Sequence, residues 1–221
     1  MREYYDRRAP EYDDWYRGTG LFAERSRPGW DEELAALVRL VAGLSPTGVL
    51  DVACGSGYLT RHLRGDVVAL DQSAAMLRAA RAQAPSARLV RGDGLALPFP
   101  DRVFGRVFAA HFYGHLPPGE GAAFLTEARA VGAELVLVDA GPRGGPPRDE
   151  WQDRVLKDGS AHRIFKRFFT GASLAAECGG RVLHDGHWFV AVGADAPSGA
   201  SGGPPDPLGG VAPAPQDGWG D

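Results

Sequence analysis

Apolar positions along this chain follow two rhythms. Between Asp31 and Leu44 they recur at Leu34, Leu37, Val38, Val41 and Leu44, three or four residues apart, the spacing of one helix face. Acidic residues open that segment, as suits a helix N-terminus, and Gly43, Pro46 and Gly48 end it. Gly48–Ala53 then reads as a short buried strand, followed by glycines and a helix from about Tyr58. The alternation continues with strand over Val67–Leu70, helix over Ser73–Ala84, and strands over Arg88–Arg91 and Phe104–Ala110. A helix over Glu120–Ala130 and a strand over Glu134–Ala140 follow. Thr170 is placed to cap a helix through Ala176, closed by Gly179-Gly180. Arg181–His184 and His187–Val192 flank Asp185-Gly186, a two-residue hairpin signal.

Strands separated by helices predict an α/β fold with a doubly wound sheet. That sheet is expected to be mostly parallel, with one antiparallel strand from the C-terminal hairpin. One domain is expected over residues 1–194. Residues 195–221 are dominated by Gly, Pro, Ala and Ser and are expected to form a disordered tail. Ligands of doubly wound sheets sit beyond the carboxyl ends of the strands, so the residues there carry the chemistry.

After the first strand comes Asp51-Val52-Ala53-Cys54-Gly55-Ser56-Gly57, whose glycines allow a tight turn and close approach of a ligand to bare backbone. Asp71 ends the second strand, where a carboxylate can accept from a ribose diol. Gly92-Asp93-Gly94-Leu95 follows the third, where a carboxylate can accept from an adenine amino group. A dinucleotide site fits less well. It asks for a third glycine in Gly-x-Gly-x-x-Gly, which Tyr58-Leu59-Thr60 does not supply, and Asp51 would face a pyrophosphate.

The run Val49–Gly57 resembles the first motif of class I S-adenosylmethionine (SAM)-dependent methyltransferases. Asp71–Leu77 resembles their second motif, Arg91–Phe99 their third and Phe104–Leu116 their fourth. Tyr12-Asp13 resembles a short signature of the ubiquinone/menaquinone-type small-molecule branch. The resemblance covers about residues 1–193 and implies a Rossmann-like sheet with SAM as cofactor. It implies that Asp51, Ala53, Gly55 and Gly57 surround the methionine part of SAM. Asp71 would hold the ribose, with Gln72 and Met76 beside ribose and adenine; Asp93, Gly94 and Leu95 would meet the adenine. The chain departs from the family in the fourth motif, where Gly105-Arg106 replaces the usual acid after the phenylalanine.

Methyl transfer from a sulfonium asks the protein mainly for alignment, and a base helps when the acceptor carries a proton. His111, Tyr113 and His115, just past the fourth strand, are the candidate catalytic residues. The aromatic segment 1–30 is a candidate lid, with Tyr12 and then Trp30 as its cofactor-facing residues. The stretch His162–Phe169 mixes basic and aromatic residues, as a solvated face, an anionic-acceptor contact or an RNA contact would.

A formal net charge of −4 argues against a broad nucleic-acid footprint. No apolar run reaches membrane-spanning length, and the charged, aromatic N-terminus is unlike a signal peptide. Two cysteines make no disulfide scaffold, so the expected location is the cytoplasm. No His/Cys cluster has metal-ligand spacing. The expected function is methylation of a small molecule at O, N or C. The alternatives are a SAM-binding regulator without catalysis, which the missing acid leaves open, and an RNA or protein methyltransferase.

Overall fold

The computed structural model describes residues 2–195. Two short helices, α1 (Arg2–Arg8) and α2 (Asp14–Arg17), precede α3 (Trp30–Gly43). The body then runs β1 (Thr47–Val52), β2 (Gly65–Asp71), α4 (Ala74–Gln83), β3 (Arg88–Arg91), β4 (Phe104–Ala110), α5 (Pro118–Val131) and β5 (Gly132–Ala140). After β5 come β6 (Arg148–Val155) and β7 (Ala161–Phe168), then α6 (Gly171–Cys178), β8 (Arg181–Asp185) and β9 (Phe189–Asp195). The main sheet has the order β3-β2-β1-β4-β5-β9-β8. Its first five strands are parallel, and β9 runs antiparallel to both β5 and β8. This is the doubly wound sheet that the sequence predicts.

Alternation within the strands explains the two apolar layers. Leu50, Val52, Val68, Leu70, Val107 and Leu137 point to one face, where Phe124 and Leu125 of α5 and Leu174 of α6 cover them. Val49, Val67, Ala69, Phe108, Val136 and Val138 point to the other, under Trp30, Leu37 and Val41 of α3 and Leu77 of α4. Strands buried on both faces must be apolar at consecutive positions, which is why Val49-Leu50 and Val67-Val68 carried the pattern.

Two local readings change, and one element is added. Only a single 3₁₀ turn, Thr60–His62, stands where a helix from Tyr58 is expected. The Thr60 hydroxyl donates to Asp51 Oδ2 at 2.6 Å, and the chain then extends at Leu63 and turns left-handed at Gly65. The C-terminal hairpin has a longer loop than Asp185-Gly186 implies, and β9 starts at Phe189. Glu33 of α3 holds that loop by accepting from the Trp188 and Phe189 amides at 2.9 and 2.7 Å. Finally, 148–168 forms a separate two-stranded sheet in which β7 packs on the turn after β4. The Gly/Pro/Ala-rich tail expected after β9 lies outside the described residues.

The departure at Gly105-Arg106 also has a structural reason. A Cβ at Gly105 would come within 1.9 Å of Thr47 Oγ1, so β4 passes β1 too closely for a side chain there. Arg106 is buried, pairs with Glu134 at 2.7 Å and donates to the Ser45 carbonyl. Gly105→Ala should therefore cost about 1–3 kcal/mol by overpacking, read as a fall in the denaturation midpoint. Thr47→Ala in the same chain should restore part of it, and a Gly105→Ala variant as stable as wild type would contradict this contact.

Candidate active site

The strand order reverses between β1 and β4, and the backbone is unusual directly after both. Ala53 (φ 57°) and His111 (φ 56°) are left-handed without being glycine. Such conformations cost on the order of 1–3 kcal/mol each and gather where the surrounding structure forces them. Here the sheet forces them: the His111 amide still donates to the Val138 carbonyl at 2.8 Å, and the Cys54 amide to Leu70. Gly55 (φ 55°) and Gly57 (φ 82°) complete the turn. Gly57 lies 3.1 Å, measured from an added Cβ, from the Ala80 backbone, so it serves close packing of loop against α4.

A cleft with a volume of about 170 Å³ opens at this edge. Ala53, Gly55, Asp71 and Gln72 form one wall, with Asp93, Gly94 and Leu95 beyond them. His111 and His115 line its other end, and Tyr12 covers it from the N-terminal segment. Asp51 sits in an adjoining recess that shares Tyr12 and Ala53 with the cleft. Four expected residues stand apart. Trp30 is buried among Trp15, Trp188 and Phe189 with its Nε1–H on the Tyr16 carbonyl. Met76 is wholly buried in the body, and Gly57 acts through packing. Tyr113 turns toward α6, where its hydroxyl meets Glu177 at 2.8 Å. Tyr5, Phe112 and Glu120 line the cleft without having been singled out. Tyr5 could have been suspected from the aromatic run it shares with Tyr12; Phe112 and Glu120 carry no signal in sequence.

The residues fit the cofactor that the motifs imply. Asp71 is 7% exposed and held by two backbone donors, Gly55 N–H on Oδ2 at 2.9 Å and Ser73 N–H on Oδ1 at 2.8 Å. Both oxygens keep a free lone pair for a diol. Burial raises its carboxyl pKa, and those amides oppose the rise. Burial also pushes Asp51 up to about 7, against the Thr60 hydrogen bond and with the nearby Asp71 adding to the rise. Two buried carboxylates side by side repel each other, and a cationic ligand relieves both. A phosphate would not. Gly94 packs closely on its neighbours: a Cβ there would strike the Phe112 ring at 2.7 Å.

The N-terminal segment is fastened over this site by polar ties. Asp6 accepts from the Ser73 hydroxyl, Asp13 from the Ser56 hydroxyl and the Gln83 amide, and Glu11 from the Lys157 amide. The Tyr12 ring lies over Gly55, 3.3 Å from where a Cβ would be. Below the histidines, Lys166 donates to Asp139 at 2.6 Å in a fully buried ion pair. Asp139 also accepts from the Gly114 and Ala140 amides at 2.6 and 2.8 Å. Burial opposes its charge, yet Lys166 holds its carboxyl well below the ordinary range.

Comparison with known proteins agrees with this geometry. A family described as "Methyltransferase domain" matches residues 49–134. The demethylmenaquinone methyltransferase of Renibacterium salmoninarum is 29% identical over 126 residues, 55% of this chain and 53% of that protein. The malonyl-[acyl-carrier protein] O-methyltransferase of Pectobacterium atrosepticum is 42% identical over 83 residues, 36% of this chain and 31% of that one. The chain thus spans about half the length, or less, of these curated relatives. Among solved structures, DhpI in complex with SAH superposes with a TM-score of 0.70 at 30% identity, over 89% of this chain and 95% of that one. The same protein has been solved with SAM and HEP. The chain belongs to the class I SAM-dependent methyltransferases.

Two outcomes follow from the buried charges. Lys166→Met leaves Asp139 unpaired and should cost about 3–5 kcal/mol; adding Asp139→Asn should recover more than half of it in urea denaturation. A single variant as stable as wild type would show that the pair is not buried as described. For Asp51, the raised folded pKa means that the ionised form opposes folding, so this group's penalty grows as pH rises from about 4 to about 7. A cationic ligand beside it should therefore release a proton on binding at pH 6 and much less at pH 8. Calorimetry of SAM in two buffers of different ionisation heat measures this, and Asp51→Asn should abolish it. Equal heats in both buffers at pH 6 would contradict the assignment.

Proposed function

We propose that this protein moves the methyl group of SAM to a small-molecule O, N or C nucleophile, with His111 receiving the acceptor's proton where there is one. When bound, SAM supplies a methyl group on a cationic sulfur, open to an acceptor's lone pair in line with the breaking carbon–sulfur bond. The protein contributes position. Asp71 would hold the ribose, Asp93 and the Leu95 loop the adenine, and Asp51 the amino-acid end beneath Tyr12. Asp93 already has its Oδ1 on the Leu95 amide at 2.9 Å, which sets the other oxygen for an outside donor. The N-terminal cover would exclude water from the methyl and place aromatic faces near the positive sulfur.

The observation that carries the reading is the state of His111. Its Nε2 is buried without a hydrogen-bond partner among the described residues, and the ring lines the same cleft as the carboxylates. Unpaired buried polar atoms are costly, about 1–3 kcal/mol, so a partner from outside the chain is the economical explanation. Burial lowers the His111 pKa to about 4, so the ring is neutral and its lone pair available at physiological pH. Asp139 pulls in the opposite direction and would face the imidazolium once a proton arrives. His115 is fixed differently: its Nδ1 reaches the Phe165 carbonyl at 2.8 Å and can bond it only as a donor. We assign it a positioning role at the cleft's end.

Membership in a SAM-dependent family, the cation-seeking carboxylate pair and the small, covered cleft all support methyl transfer to a small acceptor. The negative net charge favours it over nucleic acid. Among the described residues no helix is long and apolar enough to cross a membrane. Two unpaired cysteines support a cytoplasmic setting. Release of labelled methyl from SAM across a metabolite panel tests the activity. With an acceptor so found, His111→Phe should lower kcat about 100-fold or more with SAH affinity unchanged. It should also raise the melting temperature, since the orphan nitrogen is gone. An unchanged kcat removes His111 from the chemistry.

A further inference from the structure

The β6–β7 hairpin turns charged as well as apolar side chains toward the protein. Cross-strand partners share a face, so Arg148, Glu150, Gln152 and Arg154 lie on the same side as Phe168, Lys166, Ile164 and His162. That side meets the protein: Lys166 bonds Asp139, Ile164 packs with Tyr4, and Arg154 donates to the Tyr4 hydroxyl at 3.2 Å. The opposite side leaves Trp151 57% and Val155 61% exposed. Burial of Ile164 and Phe168 accounts for the apolar part of that inner side, but not for the cations beside them or for the exposed tryptophan.

Counting partners on the inner side separates the cations. Lys166 has Asp139, and Arg148 has Glu150 at 3.1 Å. Arg167, on the other side, has Glu177 and Asp149, so the basic stretch 162–169 is largely neutralised within the chain. Arg143 and Arg154 form no ion pair among the described residues; Arg154 donates instead to the neutral Gln152 amide oxygen, at 3.2 and 2.7 Å, and to Tyr4. They are nonetheless crowded by like charge. Arg143 and Arg148 sit 5.2 and 4.1 Å from the centre of one ring, Phe168. Arg143, placed by a left-handed backbone (φ 54°), has its pKa lowered by burial and then by Arg148, Arg154 and Arg25, with Glu150 opposing them. The same two arginines act on the cleft: Arg143 on His111, Arg154 on His115 and Tyr5.

We propose that the methyl acceptor carries an oxyacid group, carboxylate or phosphate, and that Arg143 and Arg154 hold it between the hairpin and the two histidines. The proposal rests on the methyltransferase reading and names its substrate class. An anion there would give both arginines an ion pair that the described residues do not form with them, and a guanidinium pair matches an oxyacid's planar or tetrahedral oxygens.

The test uses the full chain. Methyl release is measured with matched sets of small acceptors in carboxylate, phosphate and neutral amide form, alongside SAH titration by calorimetry. Turnover confined to one anionic set, with Arg143→Gln and Arg154→Gln each raising its KM about tenfold or more at unchanged SAH affinity, supports the proposal and tells carboxylate from phosphate. Neutral members turned over as well as anionic ones overturn it while leaving methyl transfer intact. If no member turns over, acetate and inorganic phosphate are titrated into the SAH-loaded protein. Binding that both substitutions weaken supports the proposal, and no binding to wild type overturns it. Failure to bind SAH at all sinks the methyltransferase reading itself.

Discussion

The constraint on which the site depends is the divergence of two neighbouring parallel strands. β1 and β4 lie side by side, yet one sends its chain toward α4 and the other toward α5, on opposite faces of the sheet. The gap between the departing chains is the cleft. Leaving the sheet so abruptly forces Ala53 and His111 into left-handed backbone, and the hydrogen bonds of Cys54 and His111 to neighbouring strands keep them there. The same departure brings the Gly55 amide onto Asp71, so that the loop of one strand orients the acid of the next. Strain and alignment thus have one cause.

Charge is then distributed by what burial permits. Asp51 and Asp71 are held close together in low dielectric without a cation of their own, so they favour a positive ligand. Asp139 is equally buried but has Lys166, and with its amide donors it forms a closed unit that supports the turn bearing His115. The difference between the two situations is the difference between a binding site and a strut. His111 stands between them, neutral, with one nitrogen waiting.

Much of this was legible in the chain. The run Val-Val-Ala-Leu before Asp71 reads as a strand buried on both faces, and Asp51 and Asp93 lie in or just past the neighbouring strands, so the carboxyl edge was marked by its acids. The loop after β1 and the positions of Asp71 and Asp93 came from that rule together with the motif resemblance. What failed, failed for tertiary reasons. Thr60 gave its hydroxyl to Asp51 and shortened the expected helix. Trp30 looked like a cofactor face and instead found three aromatic partners in the body. Tyr113 lies two residues from His111 but turns the other way to meet Glu177, 64 residues on. The hairpin at 148–168 was hidden because both of its faces mix apolar and charged residues, so no clean alternation marks it. The chain-distant pairing of Lys166 with Asp139 has no local trace.

The central claim is that Asp71, aimed by the Gly55 and Ser73 amides, grips the sugar of a sulfonium nucleoside. Calorimetric titration of SAH into wild type and Asp71→Ala tests it most directly. Loss of charge-assisted hydrogen bonds predicts binding weaker by about 1–3 kcal/mol, roughly 5- to 150-fold, in a protein that keeps its melting temperature to within a few degrees. Equal affinity in the two proteins would contradict it.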